Sequence, residues 1–213
     1  MYQHILTTKQ VEMLPMLKAF PDQFYLVGET ALALQLGHRK SIDFDLFSFG
    51  RVLTSSINRK IGKFYSNYQK LYEDEQEYTT VINEVKTTFY DFPFKVTATE
   101  NFGNLISMPN ILTLTAMKAF ALGRRAKWKD YVDIYFALKT YSLDTVSNCA
   151  KTVFKGKFNE RLFRSQIAYF DDIDYREQVK FMPGFEIPVD EIKATLERNK
   201  YSDVICRISV IQT

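Results

Sequence analysis

Histidine and cysteine are scarce in this chain, and each scarcity closes off a class of chemistry. His4 and His38 are the only histidines, too few for a histidine-rich zinc site or a paired-histidine mechanism. Cys149 and Cys206 stand far apart and in no metal-ligand pattern, so both are expected to be reduced thiols in a cytoplasmic protein. No apolar run reaches membrane-spanning length. The opening MYQHILTTKQVEML carries charge and lacks an apolar core of signal-peptide length. Neither charge sign dominates: 28 Lys and Arg against 25 Asp and Glu leave a net +3. That excess does not establish a nucleic-acid partner, so local clusters carry the reading. Internal repeats and low-complexity linkers are also missing.

What the chain does have is apolar bulk. Its 213 residues are 46% hydrophobic, with 18 Phe and 13 Tyr, enough for a sizeable core packed with aromatic rings. In the first half, strand and helix signals mix. A helix is expected over 9–19 with Thr8 as its cap and a kink at Pro15. FYLVG (24–28) reads as a short buried strand, and Thr30 as the start of a helix that Gly37 ends in a left-handed conformation. IDFDLFSF (42–49) alternates and reads as a second strand. A helix follows over 53–65, and then QKLYEDE, EYTTVIN and VKTTFYDF as strands, the last two meeting in a tight turn at Asn83-Glu84. After Pro109 the apolar spacing becomes helical in five successive segments. The expected fold class is α+β: a mixed sheet with helices over 1–108, then a mainly helical half over 109–213 that completes an active-site cleft.

The chemistry begins at Asp43 and Asp45. In a strand, residues i and i+2 share a face, so the two carboxylates stand side by side while Phe44 and Leu46 point into the core. At about 5–6 Å and an effective dielectric near 20, their repulsion is on the order of 3 kcal/mol. Solvent, a bound proton or a divalent cation relieves it. Mg²⁺ suits such a pair, because it takes one or two carboxylates and completes its shell with water and substrate phosphates. The strand ending in Gly28, followed directly by a helix, aims free backbone N–H groups at one point, a geometry that binds phosphate.

The stretch VGETALALQLGHRKSIDFDLF resembles the nucleotidyltransferase fold of the DNA polymerase beta superfamily, and more closely the AbiEii/AbiGii toxin family of type IV toxin–antitoxin systems. AMKAFALGRRAKWKDYVDIYFAL (116–138) resembles that family's second motif, carried by Lys118, Arg125, Lys129, Asp130 and Asp133. The resemblance implies a Mg²⁺- or Mn²⁺-dependent enzyme that moves a nucleoside monophosphate from a nucleoside triphosphate to a nucleic-acid acceptor, with the 3′ end of tRNA foremost. It also implies a functional antitoxin partner, without direct binding. Asp43 and Asp45 are the implied metal ligands, and Lys118 and Asp130 join them in catalysis. Gly28, Glu29, Thr30, Ser41, Lys118, Arg125, Lys129 and Asp133 are the implied nucleotide contacts. Lys118, Arg125 and Lys129 would form one basic stripe if a single helix runs through Gly123. Asp133 serves either that site or an ion pair with Lys129 within the helix. Arg39 reads as a partner for nearby acids. Lys151, Lys155, Lys157, Arg161 and Arg164 either track nucleic-acid phosphates or form a solvated face.

Two positions depart from the family pattern. Glu29 stands where a second small residue is usual, and a carboxylate there opposes a triphosphate unless it turns away or binds a cation. Thr88 stands where relatives place a third carboxylate as general base. These departures keep two alternatives in view: a catalytically impaired nucleotide sensor, and a transferase acting on a protein hydroxyl.

Overall fold

The computed structural model describes residues 1–21, 23–122 and 124–200. The chain divides into two compact units, Met1–Leu114 and Thr115–Thr213. The first opens with α1 (Thr8–Leu17), capped one residue earlier than expected, by Thr7. The Thr7 hydroxyl accepts from the Gln10 amide, and the Gln10 side chain accepts from the Thr7 N–H, which satisfies two of the helix's orphan donors reciprocally. Pro15 lies inside this helix, which continues to Leu17. Strand β1 (Tyr25–Val27) leads directly into α2 (Gly28–Leu36), which Gly37 ends at φ 73°. This helix starts at Gly28, two residues ahead of the expected Thr30. Next come β2 (Phe44–Ser48) and α3 (Thr54–Ile61), both shorter than their sequence patterns suggest. Asp43 therefore lies one residue ahead of the β2 ladder.

Strands β3 (Tyr68–Glu73), β4 (Glu77–Ile82) and β5 (Val85–Asp91) complete a five-stranded sheet in the order β1-β2-β5-β4-β3. Only β2 and β5 pair in parallel; the other neighbours are antiparallel. Asn83 and Glu84 both have positive φ, 48° and 67°, the signature of a two-residue hairpin turn. One face of the sheet is the core: Phe44, Leu46, Tyr78 and Phe89 are all nearly inaccessible to solvent. The rings of Phe20 and Phe24 close on Phe89 at 5.1 and 5.2 Å. A small hairpin of β6 (Glu100–Phe102) and β7 (Ile106–Met108) has no counterpart in the sequence reading, because three-residue strands are too short to show a period.

The mainly helical half contains α4 (Ile111–Leu122), within which the division between units falls, and α5 (Trp128–Ala137). It continues with α6 (Leu143–Phe154), α7 (Glu160–Gln166) and α8 (Val189–Lys200). The acidic stretch between α7 and α8 is tied down. Trp128 N–H donates to the Asp174 carbonyl at 3.1 Å, and Asp174 N–H to the Ala126 carbonyl at 2.7 Å. Lys127 and Lys129 both grip the Glu177 carboxylate, at 2.8 and 2.9 Å. No helix among the described residues is long and apolar enough to cross a membrane. Cys149 is a free thiol; Cys206 lies outside the described residues.

The Glu177 clamp carries a pH signature. Hydrogen bonds from Lys127 and then Lys129 pull its carboxyl from 4.5 down to about 2. A depressed folded-state pKa means that the stabilisation is complete above about pH 4.5 and fades as pH falls towards 2. Trp128, the single tryptophan, packs 5.5 Å from the Tyr175 ring in this segment. Its emission is expected to change across that acid range, and the Glu177→Gln variant is expected to show the loosened signal already at pH 7.

Candidate active site

The site in the first unit grows out of the β1–α2 junction. Val27 pairs with Asp45 across the antiparallel β1–β2 ladder, which brings the next residue, Gly28, against the Asp45 carboxylate. Gly28 has φ 69°, and a Cβ built on it would lie 2.1 Å from Asp45 Oδ2. Both the backbone conformation and the space demand glycine. On β2, Phe44 and Leu46 are fully buried and Asp45, on the opposite face, is half-buried; Asp43, one residue before the strand, is half-buried too. The strand register fixes the face of Asp45, while Asp43 precedes the ladder.

Asp43 is held through its backbone. The Thr30 hydroxyl donates to the Asp43 carbonyl and lies 2.8 Å from the Ser41 hydroxyl. The Gln10 side-chain amide donates to the same carbonyl at 3.3 Å. Thr30, Ser41 and Gln10 are all buried. Their polar groups thus fix the segment entering β2, a positioning role that sequence reasoning missed for Gln10. The Thr-x-x-Gln capping pattern at 7–10 was the available signal.

Glu29 does not act as an isolated charge at the start of α2. Its carboxylate meets the Arg39 guanidinium at 3.1 Å; the Arg39 side chain is fully buried and that of Glu29 is 21% exposed. Arg39 also donates to the Lys40 carbonyl. Of the two ways out the sequence reading left for Glu29, turning away or binding a cation, the chain itself supplies a cation. On the neighbouring parallel strand, Thr88 is the Cα partner of Asp45, so the third-carboxylate position is a threonine directly beside the aspartate. A cavity of about 300 Å³ lined by Phe24, Ser48, Phe49 and Arg51 opens beyond the other end of β2. It lies some three residues, about 10 Å by strand rise, from Asp45.

In the second unit the expected basic stripe does not form. Helix α4 ends at Leu122 and α5 begins at Trp128, so Lys118, Arg125 and Lys129 are not on one helix; Gly123, through which it was to run, lies outside the described residues. Lys118, 5% exposed, instead reaches across to α5 and binds Asp130 Oδ1 and Asp133 Oδ2, each at 2.7 Å. Arg125 Nε binds the other oxygen of Asp130 at 3.2 Å and keeps half its side chain exposed. Asp130 and Asp133 are fully buried. Two cations and two anions compensate one another, which is what burial at this depth requires. Lys129 binds Glu177 at 2.9 Å. Of the C-terminal basic residues, Lys151 and Arg164 converge on Glu160, and Arg164 also binds Asp144.

Among the described residues, no group of three or more His, Cys, Asp or Glu side chains is arranged to hold a metal ion. The half-buried Asp45 carboxylate against Gly28, with half-buried Asp43 two residues earlier in the chain, nonetheless offers the donor chemistry of Mg²⁺ or Mn²⁺, hard cations that draw their remaining ligands from water and substrate oxygens.

Removing the Lys118 cation takes a buried partner from two buried carboxylates, of which Asp130 keeps Arg125. Lys118→Met is expected to lower unfolding free energy by about 3–5 kcal/mol. Adding Asp130→Asn and Asp133→Asn should recover much of that loss. Urea unfolding of the single and triple variants checks both outcomes.

The chain matches no protein-family model. It is 27% identical over 180 residues to the uncharacterized protein aq_aa25 of Aquifex aeolicus (strain VF5), a span of 83% of this chain and 80% of that one. Three solved structures are similar to it. A candidate nucleotidyltransferase from H. pylori is 15% identical with a TM-score of 0.58, over 90% of this chain and 91% of that one. MenT4, the nucleotidyltransferase toxin Rv2826c from Mycobacterium tuberculosis H37Rv, is 13% identical with a TM-score of 0.58, over 90% and 81%. JHP933 from Helicobacter pylori is 15% identical with a TM-score of 0.57, over 96% and 97%. The mixed α+β arrangement of this chain is therefore the nucleotidyltransferase fold.

Proposed function

We propose that the protein is a Mg²⁺- or Mn²⁺-dependent nucleotidyltransferase that moves a nucleoside monophosphate from a nucleoside triphosphate to a hydroxyl of a nucleic-acid acceptor, the 3′ end of tRNA being the favoured one. The observation that carries the reading is the fit of Gly28 against Asp45, where the helix start and the carboxylates meet. The backbone N–H groups at the start of α2 offer a phosphate cradle. Arg39 holds the Glu29 carboxylate, so this acid does not confront the phosphates as an uncompensated charge. Asp43 and Asp45 would hold the divalent cation, which neutralises charge on the polyphosphate and its leaving group. Thr30, Ser41 and Gln10 fix the backbone that carries Asp43. In the second unit, half-exposed Arg125 is the cation best placed for an anionic ligand, because Lys118 is enclosed by Asp130 and Asp133.

A toxin role within a type IV toxin–antitoxin pair, in the cytoplasm, belongs to the same proposal, and MenT4, described as a nucleotidyltransferase toxin, shares the fold. An antitoxin would then act as a functional partner without binding being required. Thr88 beside Asp45 favours a second reading, a nucleotide-binding protein with impaired transfer. Transfer to a protein hydroxyl is the third, because the same metal site supports it.

Incubation with Mg²⁺ or Mn²⁺ and each α-labelled nucleoside triphosphate, with and without total tRNA, separates the three. Label on RNA is expected, and Asp45→Asn is expected to reduce it by about a hundredfold or more. Gly28→Val should do the same by displacing the carboxylate. Label on the protein supports the third reading, and nucleotide binding without transfer supports the second. Equal labelling by wild type and Asp45→Asn removes the proposed site.

A further inference from the structure

Residues paired across neighbouring strands project their side chains to one face. Thr88 is the Cα partner of Asp45 on β2 and of Thr79 on β4, so Asp45, Thr88 and Thr79 form one row across three strands. The Thr79 hydroxyl lies 3.3 Å from that of Thr88 and 2.6 Å from Glu77 Oε1. An ionised carboxylate only accepts hydrogen bonds. The Thr79 hydroxyl is placed as donor towards both Glu77 and Thr88, but it has a single proton; with that proton given to Glu77, a rotation of the Thr88 hydroxyl lets it donate to Thr79. The chain Thr88–Thr79–Glu77 leads from the side of Asp45 to a carboxylate one strand beyond the position that lacks one. The step between the threonines is long for a pair of hydroxyls, and contacts of this kind tighten when substrate is bound. Thr79 is 4% exposed and Glu77 half-buried, so the middle of the chain is shielded and its end can exchange protons with solvent.

We propose that Glu77, acting through Thr79 and Thr88, accepts the proton released in transfer and stands in for the missing carboxylate on β5. The inference rests on the nucleotidyltransferase reading. The acceptor hydroxyl oxygen forms a bond to the α-phosphorus, and the bond from that phosphorus to the bridging oxygen breaks, its electron pair leaving with pyrophosphate. The acceptor proton passes to Thr88 Oγ1, the Thr88 proton to Thr79 Oγ1, and the Thr79 proton to the Glu77 carboxylate, which later loses it to water. Thr88 is the residue that meets substrate; Glu77 and Thr79 are positioning residues that act through it. The groups around Glu77 are Tyr90, its Cα partner on β5, and Asp74, which accepts the Glu77 N–H at 2.7 Å and the Tyr72 hydroxyl of β3. None of these is a cation, and among the described residues no Lys or Arg forms a salt bridge with Glu77.

The test measures single-turnover transfer from pH 5 to 9 at saturating Mg²⁺, with triphosphate affinity measured separately. Glu77→Gln and Thr79→Val are expected to lower the transfer rate by about a hundredfold without weakening triphosphate binding, and Glu77→Gln should lose the acid limb of the rate profile. Thr79→Ser should restore the rate. Thr88→Asp, which puts a carboxylate beside Asp45 directly, should rescue transfer in the Glu77→Gln background. Melting curves confirm that each variant is folded. A Glu77→Gln protein that transfers within twofold of wild type with the same acid limb overturns the relay alone. Absence of transfer by the wild type overturns the nucleotidyltransferase reading and the relay with it.

Discussion

The close approach of Gly28 to Asp45 is the constraint on which the site depends. Antiparallel pairing of Val27 with Asp45 sets the register, and the positive φ of Gly28 lets the chain turn at once from strand into helix. A side chain at position 28 would collide with the carboxylate and force the backbone out of that turn. One residue thus brings the start of a helix and a carboxylate together, the two features on which the proposed function rests. The alternation of β2 then buries Phe44 and Leu46 and leaves Asp45 on the other face, with Asp43 just ahead of the strand.

Charge compensation is the second theme. Glu29 in the first unit and the pair Asp130 and Asp133 in the second are acids that would be costly or obstructive alone. Each has a buried cation, Arg39 in one case and Lys118 in the other. Arg39 is fully buried, and the loss of an anion beside a buried cation is costly in a low-dielectric setting. Lys118 meets its anions in the protein itself, whatever else it contacts. The lysine within an apolar helical run is therefore explained first by α5, and the cation left exposed in that cluster is Arg125.

The two departures from the family pattern acquire physical content at this level. Glu29 is a held charge, tied to the guanidinium of Arg39, ten positions on in the loop before β2. Thr88 is a hydroxyl in a row of hydroxyls that ends on Glu77. Neither arrangement follows from the identity of the residue. Both follow from what the register of the sheet and the fold of one loop place beside it.

Local order was legible in the sequence: the apolar alternation of β2, the left-handed end of α2 at Gly37, the Asn83-Glu84 turn and the change to helical spacing after Pro109 all depend on near neighbours. The candidate carboxylates and the glycine turn were legible for the same reason. The helix spacing of Lys118, Arg125 and Lys129 misled, because periodicity carries no information about a break between Leu122 and Trp128. Short β6 and β7 left no period to read. Which acid Arg39 takes, the bond from Lys118 to Asp133, the reach of Lys129 to Glu177 and the Thr88–Thr79 contact belonged to the tertiary structure, since a salt bridge between elements or a hydroxyl row across strands is fixed by register and packing. The sequence determined which groups the protein has for its chemistry and on which local faces they stand; the folded chain decided which charges meet.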